Sequence, residues 1–431
     1  MTDSRPATPA PAALPDLSRR DLSLDLVRVV CVLLVVVIHL LFVGVGVGAD
    51  GATLVTRPLE EQSWFAAATW VGQIMPLFFV VGGFAAITGY RSHARRGGTA
   101  LGFVRTRALR LAQPALPLFV FFAVVLGAAA VVGAPADIVD AAATGAGSPL
   151  WFLAAYLLTQ SLAPAMIAWH ERSRLTALSA LAAGAVLVDS ARYLTGVDEI
   201  GLLNLLFVWL LIQQFGFWYF DGWFRRRHPL VLLAIAVACY LLLVPATTVG
   251  PYHADMLANL NPPTVPLVLL GLAQACLLRI LAPALTAITR LRAVQAVMFV
   301  VGSRLMTIYL WHLPVILLIA GIGLLIPGFA PPPASPPWWA SRILVFLLVM
   351  AVLFAWSRVI GRFESPWDAR PVPPAAVVVM GVVLAFLPPF AVMEFFLDLP
   401  IAAIGSVLLA VGVLLLIGRR SPRGTPAGGS P

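Results

Sequence analysis

The chain has 431 residues, 61% of them hydrophobic and 11% charged, against roughly 25% charged in ordinary soluble domains. That composition excludes a soluble globular protein and predicts a polytopic, all-α membrane protein. All 28 basic residues are arginine, so the formal charge of +9 comes without a single lysine and excludes Schiff-base and lysine-nucleophile chemistry. The arginines flank hydrophobic runs, which predicts a lipid bilayer as the partner and no nucleic acid.

In chain order, residues 1–20 are rich in Pro, Ala and Ser and predict a disordered tail. About twelve apolar runs long enough to cross a ~30 Å hydrocarbon core follow. They lie near 26–47, 64–90, 111–133, 149–168, 175–194, 200–220, 229–249, 264–285, 296–326, 338–358, 375–397 and 401–418. Residues 419–431 predict a second disordered tail. Numbering the loops alternately, 24 arginines fall beside the N-terminus, the even loops and the C-terminus, while Arg57, Arg192 and Arg342 fall on the other side and Arg304 within a run. Both termini are therefore expected to be cytoplasmic, in the plasma membrane.

The first run, "DLVRVVCVLLVVVIHLL", carries Asp25, Arg28 and His39. Eleven residues at about 100° each bring His39 back to the face of Arg28, roughly 16 Å further along the helix axis and near mid-membrane. Asp25 lies one turn below. A hydrogen-bonded core histidine is the plainer reading; an ionisable ring at that depth is also a functional candidate, suited in pKa to act as a base. The second run, "MPLFFVVGGFAAITGY", places Gly82 and Gly83 where they allow close helix approach or leave room for a thin ligand. Arg91, Arg95, Arg96, Arg105, Arg107 and Arg110 then cluster, and Arg107 and Arg110, at i and i+3, present two guanidinium forks suited to phosphate. The ninth run, "GSRLMTIYLWHLPVILLI", puts His312 at the depth expected for His39, with Tyr309 one turn below, Arg304 two turns below and Pro314 just after.

Together these stretches resemble the integral-membrane acyltransferase 3 family. "SLDLVRVVCVLLVVVIHL" has its D-x-x-R-x(10)-H opening, "PLFFVVGGF" its second-helix element, and Arg107-Ala-Leu-Arg110 its R-x-x-R. "PLWFLAAYLL" and "RLMTIYLWHLPV" are similar to its W-F-L segment and its late histidine helix, although Leu313 separates His312 from Pro314 here. The resemblance spans roughly ten runs. It implies an acyltransferase 3-like domain over residues 21–362, two additional helices over 363–418, and transfer from cytoplasmic acyl-CoA, acetyl-CoA foremost, to a hydroxyl-bearing acceptor such as a carbohydrate, cell-envelope glycan, lipid or secondary metabolite. It further implies that His39, Arg28 and His312 form the catalytic set, that Arg107, Arg110, Gly82 and Gly83 hold the donor, that Tyr309 and Arg304 line the substrate site, and that no metal takes part. A twelve-helix secondary transporter is the alternative, which the scarcity of intramembrane carboxylates disfavours.

Other features carry structural expectations. Asp189 is expected to pair with Arg192, and Asn204, Gln213 and Gln214 to bond between helices. Trp338 and Trp339 are expected to anchor at the interface, and His93, His170, His228 and His253 to be solvated. Asn259 and Asn261 are candidates for acceptor contact. Cys31, Cys239 and Cys276 are expected to pack within apolar segments.

Overall fold

The computed structural model describes residues 22–48, 53–326, 328–364 and 371–418. Both tails expected to be disordered lie outside the described residues. In a bilayer every backbone donor and acceptor must be met within the protein, and continuous helices meet this demand. Twelve helical stretches among the described residues are long and apolar enough to cross a membrane.

The helices are α1 (Leu22–Phe42), α2 (Phe65–Gly72), α3 (Met75–Arg95), α4 (Ala100–Val131), α5 (Ala136–Gly147), α6 (Leu150–Arg172), α7 (Arg174–Thr195) and α8 (Asn204–Phe220). After them come α9 (Pro229–Thr248), α10 (Val265–Ile288), α11 (Arg292–Gly302), α12 (Leu305–Leu324), α13 (Pro336–Ile360), α14 (Ala375–Phe395) and α15 (Leu399–Ile417). The apolar side chains that α9 leaves exposed, among them Leu230, Leu233, Leu241 and Leu242, form the kind of surface that faces lipid. In the interior α1 packs on α12, α3 on α8, and α4 on α6 and α15.

Three of the runs read from sequence are interrupted. The first helix stops at Phe42, and Gly44–Val47 (β1) pairs antiparallel with Thr53–Thr56 (β2), Gly44 opposite Thr56 and Val47 opposite Thr53. Alternating glycine and β-branched valine is poor helix sequence, which accounts for the switch. The second run breaks between α2 and α3, where the Pro76 ring would collide with the carbonyl of Gly72 in a continuous helix. Amide side chains meet the freed groups: Gln73 Oε1 accepts from the Met75 N–H at 3.1 Å, and Gln274 Nε2 donates to the Gln73 carbonyl at 2.7 Å. The ninth run divides at Ser303 and Arg304 into α11 and α12, so its span begins at Leu305.

Buried polar groups bind the elements together. Asn204 donates to the Ala185 carbonyl, Gln213 to that of Thr159 and Gln214 to that of Met166, all between helices. Asp189, 2% exposed, does not pair with Arg192 as expected. Its carboxylate accepts from Asn204 Nδ2 at 2.7 Å, from the Tyr252 hydroxyl at 3.0 Å and from the Val265 N–H at 2.9 Å. Arg192 turns instead to Asp198, 3.0 Å away. His170 is 1% exposed rather than solvated. Because α6 continues to Arg172, the ring is carried inside, 2.9 Å from Gln214 Oε1 and 3.0 Å from the Asp221 carboxylate. Trp338 is fully buried under the Arg342 guanidinium, not an interfacial anchor, whereas Trp339 stays partly exposed. Asn259 is consumed inside its own loop, donating to the His253 and Asp255 carbonyls and accepting from Thr264.

The last two helices belong to the same bundle. Hairpin-like, α14 and α15 pack on each other and on α4, and α14 also reaches α6. Arg105 fastens them, Nε donating to the Leu416 carbonyl at 2.6 Å and Nη2 to that of Ile417 at 2.9 Å. These carbonyls end α15 and have no intrahelical partners of their own. Hydrogen bonds from a charged donor are each worth about 2 kcal/mol, so Arg105→Gln is expected to lower the thermal-unfolding midpoint in detergent by several degrees. A midpoint equal to wild type would mean that α15 holds without this clamp.

Candidate active site

The site is assembled where α1, α4, α6 and α12 converge. A cavity of about 910 Å3 opens among them, lined along α1 by Asp25, Arg28, Val32 and Val35. This is the stripe predicted from the helical period. Arg107 and Arg110 of α4, Tyr156 and Gln160 of α6, and Arg304 and Tyr309 at and beyond the start of α12 complete the wall. The break at Ser303 and Arg304 is what frees Arg304 from helical packing and lets it line the space.

Four guanidiniums therefore meet two carboxylates, Asp25 and Glu364, in one cavity. Arg28 and Asp25 lie 4.0 Å apart, a loose contact between half-exposed groups. Arg107 is held more firmly: Nη2 donates to the Ala85 carbonyl at 3.3 Å, and the guanidinium stacks 4.9 Å from the Phe103 ring. Glu364 accepts from both the backbone N–H and the hydroxyl of Thr307, fixing the first turn of α12. The surplus of positive charge and the fork geometry of arginine suit a polyphosphate. Gln160 adds a buried Nε2 with no partner among the described residues, beside this surplus of donors.

At the far end the cavity stops at Val35 and Tyr309, each one turn short of a histidine. His39 Nδ1 lies 2.9 Å from the Val35 carbonyl and His312 Nδ1 2.6 Å from that of Tyr309. A carbonyl accepts, so each ring carries its proton on Nδ1 and its lone pair on Nε2. His312 Nε2 in turn lies 3.3 Å from His39 Nδ1, with ring centroids 4.9 Å apart. The Nδ1 proton of His39 is thus shared between the Val35 carbonyl and the His312 lone pair, and His39 Nε2 is left as a base. Tyr309 is buried, its hydroxyl donating to the Pro149 carbonyl, and its ring stands edge-on to Phe152 at 5.1 Å. His312 is fully buried and His39 partly exposed.

The residues expected at the site separate into two sets. Arg28, Arg107, Arg110, Arg304 and Tyr309 line the cavity, and His39 and His312 touch each other beyond its end. Gly82 and Gly83 do not line it. A Cβ on Gly83 would meet the Gln213 backbone of α8, and one on Gly82 would meet the Tyr156 ring at 2.9 Å, so both serve close packing of α3. Of the six clustered arginines, Arg91 pairs with Glu171 at 2.9 Å and Arg105 clamps α15. Gln160 and Glu364 were not anticipated. Gln160 was legible as a lone amide inside the apolar stretch "AAYLLTQSLAP", whereas Glu364 follows the tenth run and shows its role only once α13 is folded against α12.

No curated protein and no solved structure matches the chain. A protein-family model described as an acyltransferase domain matches residues 21–362, the segment that contributes both histidines and every residue of the cavity except Glu364, which lies two positions beyond it. The chain therefore belongs to the acyltransferase 3 family and is a multi-pass membrane protein of that family.

Proposed function

We propose that this protein transfers an acetyl or other short acyl group from acyl-CoA to a hydroxyl of a carbohydrate, cell-envelope glycan, lipid or secondary metabolite, with its arginine-rich end facing the cytoplasm. The observation that supports this reading most directly is the cavity that begins among four guanidiniums and stops at Val35 and Tyr309, one turn short of the His39–His312 pair. Its volume, about 910 Å3, is at the upper end of small-molecule sites. Its donor set fits a nucleotide phosphate at one end and the amides of a pantetheine arm along its length.

In this reading Arg107, Arg110, Arg28 and Arg304 hold the donor phosphates, and the thioester comes to rest near Tyr309. The acceptor hydroxyl gives its proton to His39 Nε2 while its oxygen bonds to the acyl carbon. The C–S bond breaks, and the proton returns from the imidazolium to the departing thiolate, so an ester and free CoA leave. His312 accepts the Nδ1 proton of His39 as a hydrogen bond and thereby steadies the imidazolium that forms. A proton-coupled transporter is not favoured, since the family is one of acyltransferases.

Donor binding separates the roles of the residues. Replacing Arg107 and Arg110 together by Gln is expected to raise the KM for acetyl-CoA about 10²- to 10⁴-fold, at roughly 1.5–3 kcal/mol for each of the two lost charged contacts, with a smaller change in kcat. An unchanged KM would remove both arginines from donor binding.

A further inference from the structure

A second cavity, of about 620 Å3, flanks the other side of the first turn of α1, so that Leu22 lines the first cavity and Ser23 the second. Arg225, just beyond α8, Arg279 of α10 and Arg290, just beyond α10, converge on it, and among the described residues no carboxylate lines it. Phe84, Tyr219 and Phe224 form an aromatic wall opposite the apolar end of α10.

Arg279 is the unusual member. It lies inside α10, nine residues before the helix ends at Ile288, and is only partly exposed. Among the described residues it makes no ion pair or hydrogen bond. A guanidinium inside a membrane helix is costly unless a counter-charge reaches it. Arg225 and Arg290 are exposed and bring two more positive charges to the same space, which rules out a compensating role for either. Solvated arginines at a membrane face need no cavity; here the guanidiniums surround one whose other walls are mainly aromatic and aliphatic, with Ser23 and Thr286 the hydroxyls besides that of Tyr219.

We propose that this cavity binds a phosphate-bearing amphiphile, the headgroup phosphate of an anionic phospholipid seated among Arg225, Arg279 and Arg290 with its apolar part against the Phe84 and Tyr219 wall. A free phosphate compound would satisfy the same guanidiniums but make no use of the apolar surface of Phe84, Phe224, Ala282 and Pro283 that lines the rest of the cavity, which favours the lipid. Nothing in this assignment depends on acyl transfer, and the site shares no residue with the first cavity.

The test uses the full-length protein in detergent, with binding followed by native mass spectrometry and by the thermal-unfolding midpoint. The probes are dioleoyl phosphatidylglycerol, dioleoyl phosphatidylcholine and inorganic pyrophosphate. Wild type is expected to retain phosphatidylglycerol in preference to phosphatidylcholine and to be stabilised by it. Arg279→Gln is expected to weaken that binding about tenfold or more, the scale of one lost charged contact. The double change Arg225→Gln and Arg290→Gln, at exposed positions outside α10, should do the same and guards against misfolding of the Arg279 variant. Arg95→Gln with Arg96→Gln, at another basic junction, should bind as wild type does. Pyrophosphate binding with the same arginine dependence but no lipid preference would overturn the lipid and leave a free phosphate compound as occupant. Wild-type affinity in both arginine variants, or no binding of either phosphate probe, would overturn the site.

Discussion

His39→Ala is expected to lower kcat for acyl transfer about 10³-fold, the usual worth of a positioned general base, equivalent to roughly 4 kcal/mol of transition-state stabilisation. The reason is geometric. Among the described residues that line or adjoin the inner end of the cavity, His39 presents a lone pair on Nε2, because its Nδ1 proton is occupied by Val35 and His312. Phe152, Val35 and Tyr309 offer no substitute, since the one hydroxyl among them already donates to Pro149. The effect should fall on kcat with KM for acetyl-CoA almost unchanged, because the guanidiniums proposed to hold the donor lie at the other end of the cavity. His39→Gln keeps a polar group but no base, and should be as inactive as the alanine variant. Activity in either variant within tenfold of wild type would remove His39 from proton transfer.

His312→Ala should have the second-largest effect, a fall in kcat of about 10²-fold, the lower range for loss of a group that assists proton transfer. His312 acts through His39: its Nε2, 3.3 Å from His39 Nδ1, is the acceptor that can take up the hydrogen bond of the imidazolium. A structural role alone would lower the amount of folded protein and leave the activity per folded molecule intact. The distinguishing readout is rescue. His312→Gln offers a carbonyl oxygen as acceptor and should recover much of kcat, whereas His312→Leu, similar in apolar bulk but without an acceptor, should not. Equal activity in the Gln and Leu variants would reduce His312 to packing. Thermal-unfolding midpoints measured alongside separate loss of fold from loss of function.

Much of the site could be read from α1 alone, because a helix has a fixed period and a bilayer a fixed depth. Asp25, Arg28 and His39 share a stripe for that reason, and the cavity follows the stripe as far as Val35. The meeting of His39 with His312 was only half legible. Two histidines at similar depth suggest a shared site, yet contact across 273 positions depends on α1 packing against α12. Breaks in the apolar runs were hidden because hydropathy does not distinguish helix from other apolar backbone. The glycine–valine alternation at Gly44–Val47, the proline at Pro76 and the Ser303–Arg304 junction carried the missing signal.

Errors in the polar residues share a different cause, the choice of the nearest partner in sequence. Asp189 and Arg192 are three apart on one helix, yet the left-handed turn at Gly196 brings Asp198 back to Arg192 and leaves Asp189 to donors from three other segments. His170 lies beyond the apolar run and beside Arg172 and Arg174, which predicts solvation, but the helix runs on and the ring meets Gln214 and Asp221 inside. The two C-terminal helices lie outside the matched family segment and nevertheless close against α4 through Arg105. Local sequence spacing says nothing about such distant carbonyl partners.

Donor binding and His39-dependent transfer are tested together by equilibrium binding and turnover of radiolabelled acetyl-CoA by purified protein in detergent, with wild type, His39→Ala and the Arg107→Gln, Arg110→Gln double variant compared in one experiment. Wild type is expected to bind and release label as product or acetate, His39→Ala to bind with wild-type affinity but release none, and the double variant to lose binding. No binding by wild type, or label released at the wild-type rate by His39→Ala, would contradict this mechanism.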